Sequence, residues 1–470
     1  MSSIAPLVDL IVQNARALED ACAASGAKLP DLDAHFDPAS EAFRKDPVAA
    51  EAANVIAAAA LQLVATVLSP PLTLLTAATG YVKSAALRVA LEAGVTEILR
   101  EAGPQGLHVD DMAKINGLDP QKLSRFLRFL ATNHIFREVA PDVFANNRIS
   151  TLLDTMKPSK EIIADPEHKY DGTKGIAAAC ATIMDEQYKA GGYAWETLSD
   201  PVDGASGEPD GTAMGRAFGL RQSTWDIFAR PENSFRSRRF NIGMSAAASL
   251  QPADVIMTAF DWKSLPAGSL VVDVGGGIGA ATRSLAKNCP DLKVVLQDLP
   301  GVIEDAKKWW DENAQDAVRT GQVTLEAHSF FDPQPSRNVG VFLLKQVLHD
   351  WSNLYSARIL RHLRTAASET TKLVIMDDLL SFACREPSDE SLSAIPGAVP
   401  SEAPEPLLAN YGAAHEFGYT TDLMMYFGFN AQERNVRQFQ NLLRSTGWKL
   451  TTVRRPSHGI MTNAIEAVPL

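Results

Sequence analysis

Up to about Gly80, Ala and Leu recur at helical spacing, broken by the turn-like Leu29-Pro30-Asp31 and by Pro70-Pro71. The pattern predicts several helices. One carries Ala57–Leu68, an apolar run that Gln62 and Thr66 interrupt and Ser69-Pro70-Pro71 stops. A membrane span needs about 20 apolar residues, so this run reads as a buried helix. It packs either into the main body of the protein or against a second subunit. From Ala85 to about Leu153 the texture changes. A helix begins near Ala86 and ends at Gly94, and another begins at Val109. Asp119-Pro120 marks a third, with Asp119 as cap and Pro120 in the first helical position. That helix, Leu123 to Thr132, puts Leu123, Phe126, Leu127 and Leu130 on one face. Ile135–Val139 and Val143–Ala145 follow as a short hairpin, which completes a winged-helix outline.

Residues 154–265 read as helical and loop-like, with a Gly/Asp-rich turn at Asp203–Gly211. After Pro266 short strands alternate with helices: Leu270–Val274, Lys293–Leu296, Val323–Glu326, Val339–Leu344 and Lys372–Met376. Such alternation predicts a parallel sheet covered by helices. Cys384–Tyr419 carries five prolines and several acids, and reads as a partly mobile surface loop. The expected organisation is a helical extension over 1–80, a winged-helix dimerisation domain over 81–155, a helical connecting and pocket region over 156–265 and a Rossmann-like α/β domain over 266–470.

Composition narrows the options. With 46% hydrophobic and 21% charged residues the chain is ordinary for a globular protein with a large core. Its formal charge of −12 speaks against nucleic-acid and anionic-membrane partners, which need a basic face. The winged helix therefore reads as a scaffold or dimer module rather than a DNA reader. Cys22, Cys180, Cys289 and Cys384 form no CxxC pair, so neither a zinc site nor a redox motif is expected. No basic stretch precedes an apolar run at the N-terminus, so a secretory signal is not expected and the cytoplasm is the default.

The strongest chemical signal is Leu270–Gly279, a strand running into Gly275-Gly276-Gly277-Ile278-Gly279 and then a helix. Glycine allows a sharp turn and close approach of a ligand, and ligands bind beyond the carboxyl ends of strands in such sheets. Asp298, after the next strand, suits the two hydroxyls of a ribose. Gly275-x-Gly277-x-x-Ala280 also fits a dinucleotide fingerprint, so the turn alone does not separate a methyl donor from NAD. His349 follows the strand that ends near Leu344, and an imidazole there suits general-base work. Asp377 or Asp378 ends the next strand, and Glu433 lies in the turn Asn430–Asn435. Two carboxylates beside an imidazole fix its orientation and stabilise its protonated form.

In order, VVDVGGGIG, LQDLPGVI, LKQVLHDW, KLVIMDD and ERNVRQFQNLLRSTGW follow the winged-helix module, and together they resemble the plant and fungal small-molecule O-methyltransferases of the caffeate and flavonoid type. The resemblance runs from about Ala85 to the C-terminus and implies S-adenosylmethionine as cofactor, a hydroxylated aromatic small-molecule substrate and a homodimer. It implies His349 as base with Asp377 and Glu433 flanking it, and Asp273, Gly275, Gly277, Asp298, Ser329, Phe330 and Lys345 at the cofactor. Met184, Asp185 and Met424 fall where the family lines its substrate pocket. No metal is expected. The family's acid at the adenine turn is replaced by Ser329, a loss of about 1–3 kcal/mol in one charge-assisted hydrogen bond unless His328 substitutes. Asp377 is one methylene shorter than the Glu common in plant members. The proline-rich insertion and the N-terminal extension resemble fungal secondary-metabolite members. Two alternatives remain: a related enzyme that uses the bound donor for dehydration or a pericyclic reaction without transfer, and a non-catalytic binding protein.

Overall fold

A computed structural model describes residues 4–249, 251–252, 255–335, 337–387, 389–455 and 463–470. The extension consists of helices Ile4–Ser25, Pro47–Val67 and Pro70–Ala78. Asp46 caps the second, accepting hydrogen bonds from the backbone N–H groups of Val48 and Ala49, and Pro47 sits in its first turn. Among the described residues this helix is the one long and apolar enough to cross a membrane, because it extends ten residues N-terminal to the apolar run read from the sequence. It is two-sided. Val55, Ala58 and Ala59 are buried with Leu7, while Leu61, Val64, Val67 and Leu68 are exposed.

What covers the buried side corrects the expectation for 384–419. The insertion lies largely at the surface, but it is anchored: Ala403, Leu407 and Tyr411 are buried against Leu7, Val55, Ala58 and Ala59. The Tyr411 hydroxyl donates to Glu51 Oε1 at 2.6 Å, and Gln62 Nε2 donates to the Pro406 carbonyl at 2.9 Å. The insertion's prolines therefore shape a packed segment whose apolar partners lie some 350 residues away in sequence, beyond the reach of local composition.

The winged helix is present. Helices Tyr81–Glu92, Val95–Ala102, Val109–Asn116 and Pro120–Thr132 accompany a small sheet in which β3 (Val143–Ala145) lies between β1 (Leu107–His108), which enters before the third helix, and β2 (Arg137–Ala140). Asp119 caps the fourth helix by accepting from Lys122 N. Leu123, Leu127 and Leu130 point into a core with Ala90, Ile98, Met112, Phe136 and Phe144.

The large sheet comprises β4 (Leu270–Val274), β5 (Lys293–Asp298), β6 (Val323–Ala327), β7 (Val341–Lys345), β8 (Lys372–Met376), β9 (Trp448–Arg454) and β10 (Ala464–Pro469). Its order is β6-β5-β4-β7-β8-β10-β9. The five strands expected from the sequence are parallel, and the interior positions of β4, β5, β7 and β8 are buried on both faces, whereas β6 at the edge is only partly buried. The two C-terminal strands, which the sequence reading missed, are antiparallel at one edge, β10 pairing with both β8 and β9. Strand order reverses between β4 and β7, and that switch point is where a doubly wound sheet receives its ligand.

Candidate active site

The glycine turn leaves β4 at this switch point. Gly275, Gly277 and Gly279 all have positive φ. The Gln297 carbonyl accepts from Gly275 N at 2.8 Å and Gly276 N at 3.1 Å, tying the turn to β5. A Cβ on Gly276 would stand 2.4 Å from Leu296 Cδ1 and 2.7 Å from Asp273 Cγ, whereas one on Gly277 would meet nothing within 4 Å. The turn is thus packed on its sheet side and open at Gly277. Asp298 closes it, accepting from Gly277 N at 2.8 Å and Leu299 N at 2.7 Å.

Asp273 is buried. Thr282 Oγ1 donates to its Oδ2 at 2.6 Å, and its Oδ1 has no hydrogen-bond partner among the described residues. Burial pushes its pKa up to about 6 against the pull of Thr282 and Lys345. An orphaned carboxylate oxygen beside an open glycine backbone fits a ligand that carries N–H or O–H donors. Phe330 packs on Gly275, 3.3 Å from where a Cβ would sit, and meets Phe331 and Trp351 edge-on. Ser329 Oγ accepts from Phe331 N at 3.2 Å, a turn contact. Glu326 does not replace the missing acid, since it accepts from Gln297 Nε2 and Arg337 Nη2, both at 2.7 Å. His328 Nε2 is buried without a partner among the described residues. Lys345 ends β7, and its Nζ donates to Gln346 Oε1 at 2.8 Å. Burial lowers its pKa, while Asp273 and Asp377 raise it.

Beyond β7 the chain turns sharply. Gln346 adopts φ 55°, a left-handed conformation that costs a non-glycine residue energy, and the short 3-10 turn Leu348–Asp350 presents His349. His349 is buried, and its Nδ1–H donates to Glu433 Oε1 at 2.7 Å. With Nδ1 so engaged, Nε2 is the nitrogen left to meet an acceptor. Its recorded polar neighbour is Asp350 Oδ1 at 3.6 Å, a longer contact than a hydrogen bond. Burial alone would lower the imidazole pKa, but Asp350, Glu433 and Asp377 together raise it to about 10. Asp377 follows β8 and is 2% exposed, and neither of its oxygens has a hydrogen-bond partner among the described residues. Burial drives its pKa up to about 7, opposed by His349 and Arg434. Asp350, pushed by burial to about 6, is a third carboxylate that the sequence reading passed over, although it directly follows the histidine.

Of the residues expected to line the acceptor pocket, two are adjacent on one turn and the third lies on a helix packed against it. Met184 is buried in the π-helical turn Ile183–Gln187, packed with Leu91, Leu153, Tyr170 and Ala181. Asp185 meets Arg88, Lys189, Arg236 and Arg239 at 2.6–3.0 Å. Despite its burial, these cations hold its carboxyl well below the usual range, so it acts as an ion-pair centre. Met424 is half-buried on helix Glu416–Phe429, which packs against both the His349 turn and the π-helical turn.

Residues 195–449 match the O-methyltransferase domain, and residues 75–155 match the O-methyltransferase dimerisation domain. The chain is 48% identical over 470 residues to 4-O-methyltransferase 1 of Phanerochaete chrysosporium, covering 100% of this chain and 99% of the relative. Among solved structures, mitomycin 7-O-methyltransferase superposes with a TM-score of 0.61 at 23% identity, covering 85% of this chain and 97% of that one. A pericyclic reaction enzyme gives 0.63 at 18%, covering 92% and 98%. At such identities these two likenesses show the fold alone, common to methyl transfer and to a pericyclic reaction.

Proposed function

The chain belongs to the S-adenosylmethionine-dependent O-methyltransferase family, and on that premise we propose that it methylates a phenolic hydroxyl with His349 as general base. Methylation of a small metabolite is the family's activity; the base and the phenolic acceptor are the finer reading. The observation that carries it is the His349–Glu433 hydrogen bond at 2.7 Å within a buried cluster of carboxylates, beyond the same sheet edge as the glycine turn.

S-Adenosylmethionine, when bound, supplies an activated methyl group on a cationic sulfur. The open backbone at Gly277, the orphaned Asp273 oxygen, Asp298, Ser329, Phe330 and Lys345 are the residues that would hold it. His349 takes the acceptor proton on Nε2, and Glu433 fixes the ring through Nδ1. Asp350 and Asp377 stabilise the imidazolium formed. Phenols suit this site because their acidity lies near that of the raised imidazole, so proton transfer is close to balanced. The test is a panel in which each phenol is paired with its methyl ether and with an aliphatic alcohol of similar size, using labelled donor. Label is expected to transfer to the free phenols. Transfer confined to the alcohols would overturn the phenolic assignment.

The raised imidazole pKa has a sign. A base works only when deprotonated, so activity is expected to rise with pH, and the acid limb of the kcat/KM profile should lie above the ordinary histidine value of about 6.5. An acid limb at or below that value contradicts the cluster's role.

A homodimer and cytoplasmic residence belong to the same reading. Val55 is committed within the chain, but Leu72, Leu74 and Leu75, beside the dimerisation domain, are 61%, 72% and 62% exposed. Contiguous apolar surface of this kind gains about 25 cal/mol per Å² on burial. Light scattering at micromolar concentration is expected to give a dimer, and a full-length monomer refutes it.

A further inference from the structure

Arg434 lies beside Glu433 and is 1% exposed, among the largest fully buried side chains of the molecule. Nη1 donates to the Leu348 carbonyl at 2.8 Å. Nη2 donates to the Trp351 carbonyl at 2.8 Å and Ser356 Oγ at 3.1 Å, and Nε donates to Asn353 Oδ1 at 3.0 Å. The two carbonyls bracket the three-residue turn that carries His349. The turn's own backbone hydrogen bonds, Asp350 N to the Val347 carbonyl and Trp351 N to the Leu348 carbonyl, are both 3.2 Å long, and Gln346 just before it is held in a left-handed conformation. An apolar side chain would fill the same volume without the heavy desolvation cost of a buried guanidinium. A planar fork of donors serves both carbonyls at once, whereas the Ser356 hydroxyl, 3.3 Å from one and 3.2 Å from the other, has a single hydrogen to donate.

The guanidinium is also one of the cations acting on Asp377, with His349 and Lys345. The charged groups around it are His349 and Asp350 from the turn, Asp377 and Asp378 from the segment after β8, Glu433 beside it and Asp422 from helix Glu416–Phe429. Asp422 accepts from Glu433 N at 2.8 Å. Burial pushes the Arg434 pKa down to about 10, with Asp377, Glu433 and Asp422 acting against that, so the side chain stays charged at neutral pH.

We propose that Arg434 is a positioning residue for methyl transfer, clamping the Leu348–Trp351 turn so that His349 stays in register with the acceptor while its charge keeps the flanking carboxylates ionised. The inference rests on His349 as base. Two consequences separate the clamp from the charge. Lysine keeps the charge and loses the fork, so Arg434→Lys loses turnover with the acid limb in place. Methionine loses both. Without the cation the carboxylates hold protons more firmly and the imidazolium releases its proton at higher pH, so the limb moves upward.

The experiment uses the full-length enzyme, catechol as acceptor probe, calorimetric titration of the donor and NMR titration of ring-labelled histidine. Arg434→Lys is expected to lower kcat on the order of 10²-fold with donor Kd unchanged. Arg434→Met is expected to lower it at least as far and to raise the His349 titration by about one pH unit. Wild-type turnover in Arg434→Lys overturns the clamp, and an unmoved His349 titration in Arg434→Met overturns the charge role. Should Arg434→Met fail to fold, Asn353→Ala removes the Nε partner, along with an exposed hydrogen bond from Gln432 Nε2, and is expected to lower kcat without changing donor Kd; wild-type kcat there counts against the clamp. Full activity of Arg434→Lys beside an inactive His349→Ala refutes this inference alone, whereas an active His349→Ala refutes the base on which it rests.

Discussion

His349→Ala is expected to lower kcat by about 10²–10⁴-fold, the usual worth of a general base, while donor affinity stays nearly unchanged. The reason is geometric. The imidazole sits on the turn after β7 with Nδ1 bound to Glu433, and the residues proposed to hold the donor, Lys345 at the end of β7 apart, lie on β4 and its glycine turn, the end of β5 and the loop after β6. Removing the ring leaves Glu433, Asp350 and Asp377 without the imidazolium and with Arg434 as their remaining buried cation, so some loss of thermal stability accompanies the loss of turnover. Donor titration separates the two effects. A variant that turns over at nearly the wild-type rate sinks the base assignment for any acceptor whose hydroxyl is still protonated at the assay pH.

Asp298→Ala is expected to weaken donor binding by about 3 kcal/mol, on the order of a hundredfold in Kd, because two ribose hydroxyls lose a charged acceptor. The structure adds a second cost. Asp298 holds Gly277 N at 2.8 Å, so the variant also frees the turn on which the donor would lie. Calorimetric titration with the methyl donor and, separately, with NAD checks this. An unchanged donor Kd removes Asp298 from the site. NAD binding with none for the donor restores the dehydrogenase reading of the glycine turn.

Much of this was legible in the sequence because the information was local. Apolar runs such as Leu270–Val274 and Lys372–Met376 are buried on both sheet faces, so their composition alone marks them as parallel strands. Asp119-Pro120 carries its own helix start, and the structure has the cap. The site's frame followed from where those strands end. What escaped was non-local. β9 and β10 lie in antiparallel order after a long helical interval, and β9 mixes polar with apolar residues. The 384–419 insertion looked like a loop because its apolar partners, Leu7 and Val55 among them, belong to the opposite end of the chain. The ion pairs of Asp185 with Arg236 and Arg239 were equally hidden, because those arginines come from a different helix. Arg434 was invisible as a contributor because arginine is ordinarily a surface residue, and only the carbonyls of Leu348 and Trp351 show its task.

The central claim is that the methyl group leaves the donor for an oxygen and that His349 makes that oxygen nucleophilic. It is tested most directly by incubating the enzyme with ¹³C-methyl donor and an acceptor phenol, then following the ¹³C resonance and S-adenosylhomocysteine together. The expected result is one S-adenosylhomocysteine per O-methyl group formed, with both signals lost in His349→Ala. Acceptor converted to a rearranged or dehydrated product, with the ¹³C label still on the donor, would contradict it.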